Sequence, residues 1–118
     1  MSKPVGPYTP IVRAGDWLVV SGQVGIADGK LVSGGLEAEL RQAIANLADL
    51  LASEGASLAD VTKTTVFLRH LGGDYPTKNQ VYMELFGDHR PARSAIGVAE
   101  LPLGALVELE AWVHVGAG

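Results

Sequence analysis

One arginine and two glutamates in the C-terminal third of the chain have the types and spacing to bind and activate a small acid. Arg93 lies in the run RPARS (90–94), at the start of an apolar, strand-like stretch that later carries Glu108 and Glu110. A guanidinium is always charged, and its planar fork matches a carboxylate. Burying it is unfavourable unless an anion pairs with it. The pattern predicts a carboxylate-bearing small molecule as the partner of Arg93; the alternative is a structural salt bridge with Glu108, Glu110 or another acid.

Glu108 and Glu110 are two residues apart in a segment that alternates strictly between apolar and polar positions. On a strand, their side chains emerge from the same face about 7 Å apart. Two such carboxyl groups can separate into an ionised and a protonated partner, because like charge or desolvation raises one pKa. Glu108 is therefore a candidate acid–base group. A solvated sheet face is the alternative, although Trp112 and His114 on the same side indicate that this face is partly covered.

Four further residues are weaker candidates when taken from the sequence alone. Ser21 and Gly22 interrupt a valine-rich strand, and a glycine inside a strand marks either close approach of a ligand or a β-bulge. Tyr8 follows a Gly-Pro pair, where a tyrosine is most often a packing residue with a satisfied hydroxyl. Asn79 falls near the start of a predicted helix and would by default be an exposed polar residue.

The sequence contains no motif typical of a metal site or a nucleotide-binding site. The chain has no cysteine, which excludes disulfides, thiolate nucleophiles and cysteine metal sites. His70, His89 and His114 are scattered without a metal-binding spacing. The glycine pairs at 34–35 and 72–73 lack the context of a phosphate-binding loop. We therefore expect no metal and no cofactor.

The periodicity predicts strands and helices in an order typical of an α+β domain. Apolar residues recur at helical spacing from Leu36 to Leu51, and Gly55 is placed to end that helix. A second helix is predicted from about Tyr75 to Phe86, with Pro76 in its first turn. Predicted strands cover 12–13, 16–24, the surroundings of 31–32, 61–69, 93–99 and 105–115. The prediction is one domain, residues 1–118, with a mixed sheet and both helices packed on one face.

Composition limits the partners and the location. Nine basic against thirteen acidic residues give a net charge of −4, which argues against a nucleic-acid partner. No window approaches the ~20 apolar residues of a membrane span, and the first residues lack a signal sequence, so we expect a cytoplasmic protein with no membrane partner. Charged residues make up only 19% of the chain. Such a charge-poor small domain either hides surface against copies of itself or is simply a charge-poor monomer.

Motifs along almost the whole chain, from about residue 6 to about residue 115, resemble those of one family. The run PARS (91–94) is followed, fifteen residues after Arg93, by Glu108 within VELEA (107–111). The pieces GPY (6–8), VSGQ (20–23), GASL (55–58), KTTVFL (63–68) and NQVY (79–82) precede it in the expected order. Together they resemble the RidA family, also called the YjgF family.

The resemblance implies a fold, an assembly and an activity. The fold would be chorismate-mutase-like, with the sheets of a homotrimer forming a barrel and with substrate sites in the clefts between subunits. The activity would be hydrolytic deamination of 2-imino acids and their enamine tautomers, of the 2-iminobutanoate, 2-iminopropanoate and aminoacrylate type, giving a 2-oxo acid and ammonia without a cofactor. Two alternatives remain: a non-catalytic module that binds a 2-oxo acid, and the ribonuclease or translation-inhibitor activity ascribed to some relatives.

The resemblance also implies roles for individual residues. Arg93 would hold the substrate carboxylate, and Glu108 would position or activate water. The remaining matches are Tyr8, Ser21, the Gly22 backbone and Asn79, which would line the site around the substrate nitrogen and the water. Two positions depart from the family pattern. Ala95 stands where many relatives carry cysteine, so no thiol is available there, and Gly25 stands where relatives often carry proline.

Overall fold

The chain forms a mixed five-stranded sheet with two helices on one face, as predicted. The computed structural model describes residues 6–116, apart from the side chains of residues 74 and 75. The strands are β1 (Ile11–Ala14), β2 (Trp17–Gln23), β3 (Ile26–Ala27), β4 (Lys30–Leu31), β5 (Val61–Leu68), β6 (Ala92–Gly97) and β7 (Val107–His114), and the helices are α1 (Gly35–Ala52) and α2 (Leu71–Phe86). Short 3₁₀ turns cover Leu58–Asp60 and Pro102–Gly104.

The spatial order of the large sheet is β1-β2-β7-β5-β6. β5 and β6 are parallel, and the other neighbours are antiparallel. β3 and β4 form a separate small hairpin. The parallel pair is connected through α2, which is the usual way to join parallel strands. In the part of the chain that the structure describes, neither helix is both long and apolar enough to cross a membrane.

Helix α1 follows its predicted apolar stripe. Leu40, Ile44, Leu47 and Leu51 are buried against the sheet. Gly55 ends the helix with a φ of 74°, and the Ala56 N–H donates a hydrogen bond of 2.9 Å to the Leu51 carbonyl, which is the six-to-one bond of a Schellman motif. The predicted helix end is confirmed.

Helix α2 begins at Leu71, four residues before the predicted start at Tyr75, so that prediction is wrong. Gly72 and Gly73 are typical of a turn, and Pro76 is typical of a first helical turn. In the structure Pro76 lies inside the helix. Proline there removes only the bond to the carbonyl of Gly72, close to the helix start, and the helix tolerates this loss.

The two faces of the sheet differ in what covers them. On β7, Val107, Leu109, Ala111 and Val113 are buried under the helices, and we call this side the helix face. The other side, which we call the open face, is covered by no helix within residues 6–116. Its polar and aromatic residues on β7 are Glu108, Glu110, Trp112 and His114. The strict alternation predicted for this strand is confirmed.

Candidate active site

On the open face, the Glu108 carboxyl group rests against the backbone of Gly22. The pairing of β2 with β7 shifts register between Val20 and Gln23, which makes Ser21 and Gly22 a bulge. A Cβ atom on Gly22 would lie only 2.6 Å from Glu108 Oε2. Glycine is therefore needed for the close approach of the carboxylate. The bulge interpretation of this glycine is confirmed. The group that approaches it closely here is the Glu108 side chain, and close approach of a ligand stays a prediction.

The acidity of Glu108 is shifted in the direction that general acid–base chemistry uses. Burial raises the pKa of the Glu108 carboxyl group above its ordinary value, and the charge of Glu110 adds a smaller increase. The two groups share the open face, as their spacing predicts. A raised pKa makes the ionised carboxylate a stronger base than an ordinary glutamate, which suits a group that takes a proton and returns it.

Ser21 holds the segment that follows Tyr8 against the bulge. The Ser21 hydroxyl donates to the Thr9 carbonyl at 2.9 Å, and the Ser21 backbone N–H donates to the Pro10 carbonyl at 2.9 Å. Tyr8 lies just before these bonds and is 43% exposed. The hydroxyl hydrogen of Ser21 is used inside the protein, so its oxygen is left to accept a hydrogen bond from a bound group. The contact of Gly22 with Glu108 is the direct one, and a place for Tyr8 in the same site stays a prediction.

Arg93 lies on the opposite side of the sheet from Glu108. Thr64 pairs with Arg93 on one side and with Ala111 on the other, which puts Arg93 in a row on the helix face. Phe67 pairs with Glu108 and with Ile96, which puts Glu108 in a row on the open face. One protomer therefore does not bring its own arginine and glutamate together.

The guanidinium group of Arg93 is held by an aromatic ring. Its Cζ atom lies 5.0 Å from the centroid of the Tyr82 ring, at cation–π distance. Tyr82 is buried, and its hydroxyl forms a short hydrogen bond with the hydroxyl of Thr64, the strand neighbour of Arg93. The position of the Arg93 guanidinium is fixed by three features: the Tyr82 ring, the hydrogen bond of that residue to Thr64, and the strand pairing of Arg93 with Thr64.

Arg93 makes no ion pair with any carboxylate among the side chains that the structure describes. The ion pairs found there join Arg13 to Glu54 and Arg41 to both Glu37 and Glu84, all of them on the surface. The alternative interpretation of Arg93 as the salt-bridge partner of Glu108 or Glu110 is therefore wrong within one protomer. The arginine remains available to an external anion.

Sequence reasoning missed Lys78, which lies beside Arg93. Lys78 is fully buried on α2, and the charge of Arg93 is close enough to contribute to a lowered pKa of its ammonium group, after the larger effect of burial. The signal was in the sequence: Lys78 lies three and four residues before Val81 and Tyr82 on the buried stripe of the helix. Asn79 follows it, and among the described residues its buried side-chain oxygen has no hydrogen-bond partner.

Among the described residues, no group of three or more histidine, aspartate or glutamate side chains is placed to hold a metal ion. The His89 ring is hydrogen-bonded at 2.7 Å to the Val61 carbonyl, and the His114 ring packs edge-on against Trp17. Both rings have structural contacts.

Comparison with known proteins identifies the family of this chain. A family model described as Endoribonuclease L-PSP, which covers the RidA and YjgF proteins, matches residues 1–115. The chain is a member of the RidA family. It is 39% identical to a human protein named 2-iminobutanoate/2-iminopropanoate deaminase, over 91% of this chain and 79% of that protein. It is 40% identical to a RutC family protein of Pyrococcus horikoshii, over 92% of this chain and 87% of that one.

A solved structure also matches the fold of this RidA family member. The crystal structure of RidA from the Antarctic bacterium Psychrobacter sp. PAMC 21119 superposes with a TM-score of 0.92 at 33% identity, covering 96% of this chain and 92% of that one. The family resemblance read from the motifs is confirmed.

Proposed function

We propose that this protein hydrolyses reactive 2-imino acids and their enamine tautomers to 2-oxo acids and ammonia, in sites formed between the subunits of a homotrimer. The observation that carries the proposal is the pair of groups that the reaction needs. Arg93 is an oriented arginine with no ion pair among the described side chains, and Glu108 is a carboxyl group with a raised pKa. The names of relatives such as the human deaminase support the choice of substrate.

Arg93 would anchor the substrate by its carboxylate. Two parallel charge-assisted hydrogen bonds to a planar fork fix both the position and the plane of a conjugated 2-imino acid. The Tyr82 ring below the guanidinium limits how that plane can turn. Holding the imine in one orientation beside the water lowers the entropic cost of bringing the two reactants together.

Glu108 would handle the proton. In its ionised form it takes a proton from water as the water oxygen bonds to C2 of the imine, and the π electrons of the C=N bond move to nitrogen. The proton is then returned to that nitrogen, which gives a neutral carbinolamine. Glu108 next moves the proton of the C2 hydroxyl to the nitrogen as the C2–N bond breaks, so that ammonia leaves with the bonding electrons and the C2–O bond becomes a carbonyl. Gly22 lies against Glu108, and Ser21 precedes it in the bulge. In this proposal Tyr8, Ser21 and the Gly22 backbone would position the nitrogen and the water. Because the imine is already electrophilic, the proposed reaction needs no cofactor.

The placement of these two groups supports an assembly of several copies. Arg93 faces α2 and Glu108 faces the open side, so one site can use both only if a second copy supplies one of them. An interface that joins two different surfaces of the same chain is heterologous, and its repetition gives a ring where the rotation closes and a filament where it does not. A homotrimer is the smallest ring that meets this requirement.

The open face has the composition of an interface. Its exposed apolar side chains come from four strands of the sheet, and the Trp112 ring is 46% exposed. Trp17 meets Trp112 edge-to-face at 6.4 Å. Contiguous apolar surface of this kind marks sites of association. The exposed apolar residues on the open face are Val12, Trp17, Ile96 and Trp112.

The family description also names an endoribonuclease, which is the rival function. The net charge of −4 opposes the broad phosphate contacts that give nucleic-acid affinity. His89 and His114 are far apart in the sequence. The His89 ring is hydrogen-bonded to the Val61 carbonyl, and the His114 ring packs against Trp17. RNA binding that weakens steeply with added salt would favour this rival.

A coupled assay tests the proposed function. An amino-acid oxidase generates 2-iminobutanoate in the absence of added amines, and the loss of imine absorbance is followed with and without the protein. Acceleration proportional to protein concentration is the expected result. Binding of 2-oxobutanoate without any acceleration would instead identify a non-catalytic binding module.

Substitution of Gly22 by alanine should slow this reaction without unfolding the protein. The new Cβ would lie 2.6 Å from Glu108 Oε2, so the carboxyl group must move. Displacement of a reacting group by about 1 Å costs roughly 10²-fold in rate. Gly72→Ala is the matched control, because its Cβ would meet nothing within 4 Å. Equal rates for the Gly22→Ala variant and the wild type would remove Glu108 from the mechanism.

A further inference from the structure

Gln23 closes the bulge of β2 from the side of the helices. Its side chain is buried, and it pairs across the sheet with Leu109, which lies on the helix face. The Gln23 Nε2 atom donates a hydrogen bond of 3.1 Å to the carbonyl oxygen of Ser21, two residues earlier. Because a buried amide is unfavourable unless it is hydrogen-bonded, this bond determines where the side chain lies. The bond therefore spans Gly22, the residue between them.

Ser21 is held on its other side as well. Its hydroxyl and its backbone N–H donate to the carbonyl oxygens of Thr9 and Pro10, each at 2.9 Å. With the bond from Gln23, three hydrogen bonds hold this one residue. Gly22 has no side chain of its own to fix it, so its position depends on the residues on either side of it.

Helix α1 fixes the segment that follows the bulge. The Asn46 Nδ2 atom donates to the carbonyl oxygens of Val24 and Ile26, at 3.2 and 3.0 Å. A Cβ atom on Gly25 would lie 2.6 Å from the carbonyl oxygen of Glu39, so the segment and the helix backbone are in direct contact. The Cβ atom of a proline, which relatives often carry here, would not fit unless the helix moved. The far end of the bulge is therefore attached to the helix.

The position of Gly22 matters because the Glu108 carboxyl group rests on it. A Cβ atom there would lie 2.6 Å from Glu108 Oε2, so this backbone shields one side of the carboxyl group from water. Burial is the larger cause of the raised pKa of Glu108. A bulge that relaxed would let water reach the carboxyl group and would let it turn. The hydrogen bond that closes the bulge can thus control both the place and the acidity of Glu108.

We propose that Gln23 is a positioning residue: its amide fixes the bulge that carries Gly22 and thereby holds the Glu108 carboxyl group in its reactive place. The inference rests on the proposed function for the reaction, and it adds a residue that touches neither the substrate nor the water. Gln23 acts through the shape of the bulge, and proton transfer stays with Glu108.

Hydrogen exchange in the wild type tests the bond itself. The side-chain amide hydrogens of Gln23 are followed by NMR in D₂O and compared with those of Gln80, which is exposed on α2. The bonded hydrogen of Gln23 should exchange at least about tenfold more slowly, because exchange requires the buried bond to open. Equal exchange rates would overturn the inference without any variant.

Substitution of Gln23 by methionine tests the effect on Glu108. Methionine fills a similar volume and removes the donor. An NMR titration of the labelled Glu108 carboxyl carbon should then give a pKa closer to the ordinary value of 4.5, because water reaches the group. The kcat for 2-iminobutanoate should fall at least about tenfold, as expected for a displaced reacting group. Binding of 2-oxobutanoate should not change, because Arg93 anchors it.

Gln42→Met is the matched control. It also removes one side-chain amide donor, whose bond of 2.9 Å goes to Asn46 Oδ1 and not to the bulge. The two variants should lose similar stability, but Gln42→Met should keep the wild-type kcat and the wild-type pKa of Glu108.

Neighbouring charges cannot produce a difference between these variants, because neither substitution changes them. Among the described residues, the titratable groups that share the open face with Glu108 on β7 and β5, or directly follow β5, are Glu110, His114, Lys63 and Arg69. A change in the pKa of Glu108 therefore reports the bulge.

Each outcome decides the inference. A folded Gln23→Met variant that keeps either the wild-type pKa of Glu108 or the kcat of an active wild type overturns it. Gln23→Leu, which also lacks the donor, repeats the test if the methionine variant does not fold. The proposed function fails separately: if Gln23→Met shifts the pKa of Glu108 but even the wild type does not consume 2-iminobutanoate, the positioning of Glu108 stands and the deaminase activity does not.

Discussion

Substitution of Arg93 by lysine should lower kcat/KM for a 2-imino acid at least ten- to hundred-fold while leaving the fold nearly intact. Lysine keeps the charge and loses the planar fork and the stacking on Tyr82. The loss of one or two charge-assisted hydrogen bonds, at about 1.5–3 kcal/mol each, accounts for this range. Steady-state kinetics with the coupled assay and a thermal melt measure the two quantities.

Arg13→Lys is the matched control for this substitution. Arg13 lies on β1 at the surface, where it makes a long ion pair of 3.8 Å with the Glu54 carboxylate and donates a hydrogen bond of 3.5 Å to the Glu54 carbonyl. Surface pairs of this kind contribute little, so rate and melting temperature should both stay unchanged. If Arg93→Lys lowered the melting temperature sharply and its residual activity followed the folded fraction alone, Arg93 would have a structural role only.

Substitution of Glu108 by glutamine should lower kcat by about 10²- to 10⁴-fold, the usual contribution of a positioned acid–base group. Binding of 2-oxobutanoate should change little, because the anchor is elsewhere. In the wild type the ionised form of Glu108 starts the reaction, so kcat should fall as the pH falls through its raised pKa. Glu110→Gln is the control: it keeps the proton-handling group, removes the neighbouring charge and should move this limb of the profile to lower pH.

Substitution of Glu108 by glutamine should also change how the stability of the protein depends on pH. Because the folded-state pKa of Glu108 lies above the ordinary value of 4.5, folding favours its protonated form. This contribution to stability is fully present below pH 4.5 and is lost as the pH rises through the folded-state pKa. Glu108→Gln carries no such loss, so its melting temperature relative to wild type should rise between acidic and neutral pH. A difference that does not vary with pH would mean that Glu108 is not desolvated.

Several features of the fold could be predicted because they depend on local patterns. The stripe of α1, its end at Gly55 and the alternation of β7 each follow from residues close together in sequence. The start of α2 could not be predicted in this way, because the two glycines before Pro76 have the local pattern of a turn. Only packing of α2 against α1 and the sheet makes them helical.

The candidate site was predictable residue by residue, but its arrangement in space was not. The types of Arg93 and Glu108 indicate carboxylate binding and proton transfer wherever the residues lie. Their placement on opposite faces depends on the register of β5 with β6 and β7, and a slip of one residue in either pair would reverse it. Register is a long-range property, so the sequence pattern cannot specify which groups one protomer brings together.

The measurement that tests the central claim most directly is a mixing experiment with two inactive variants. Arg93→Lys and Glu108→Gln chains carrying different tags are co-expressed, and mixed assemblies are purified through both tags. Sedimentation should show a trimer of about three times the 12.3 kDa chain mass. If each site takes Arg93 from one copy and Glu108 from the next, every mixed trimer has one junction where both groups are intact, so about a third of the sites are restored.

Mixed trimers should therefore consume 2-iminobutanoate at about a third of the wild-type rate, well above either parent variant. Mixed trimers that are no more active than the parents, prepared beside an active wild-type trimer, would contradict a site shared between subunits.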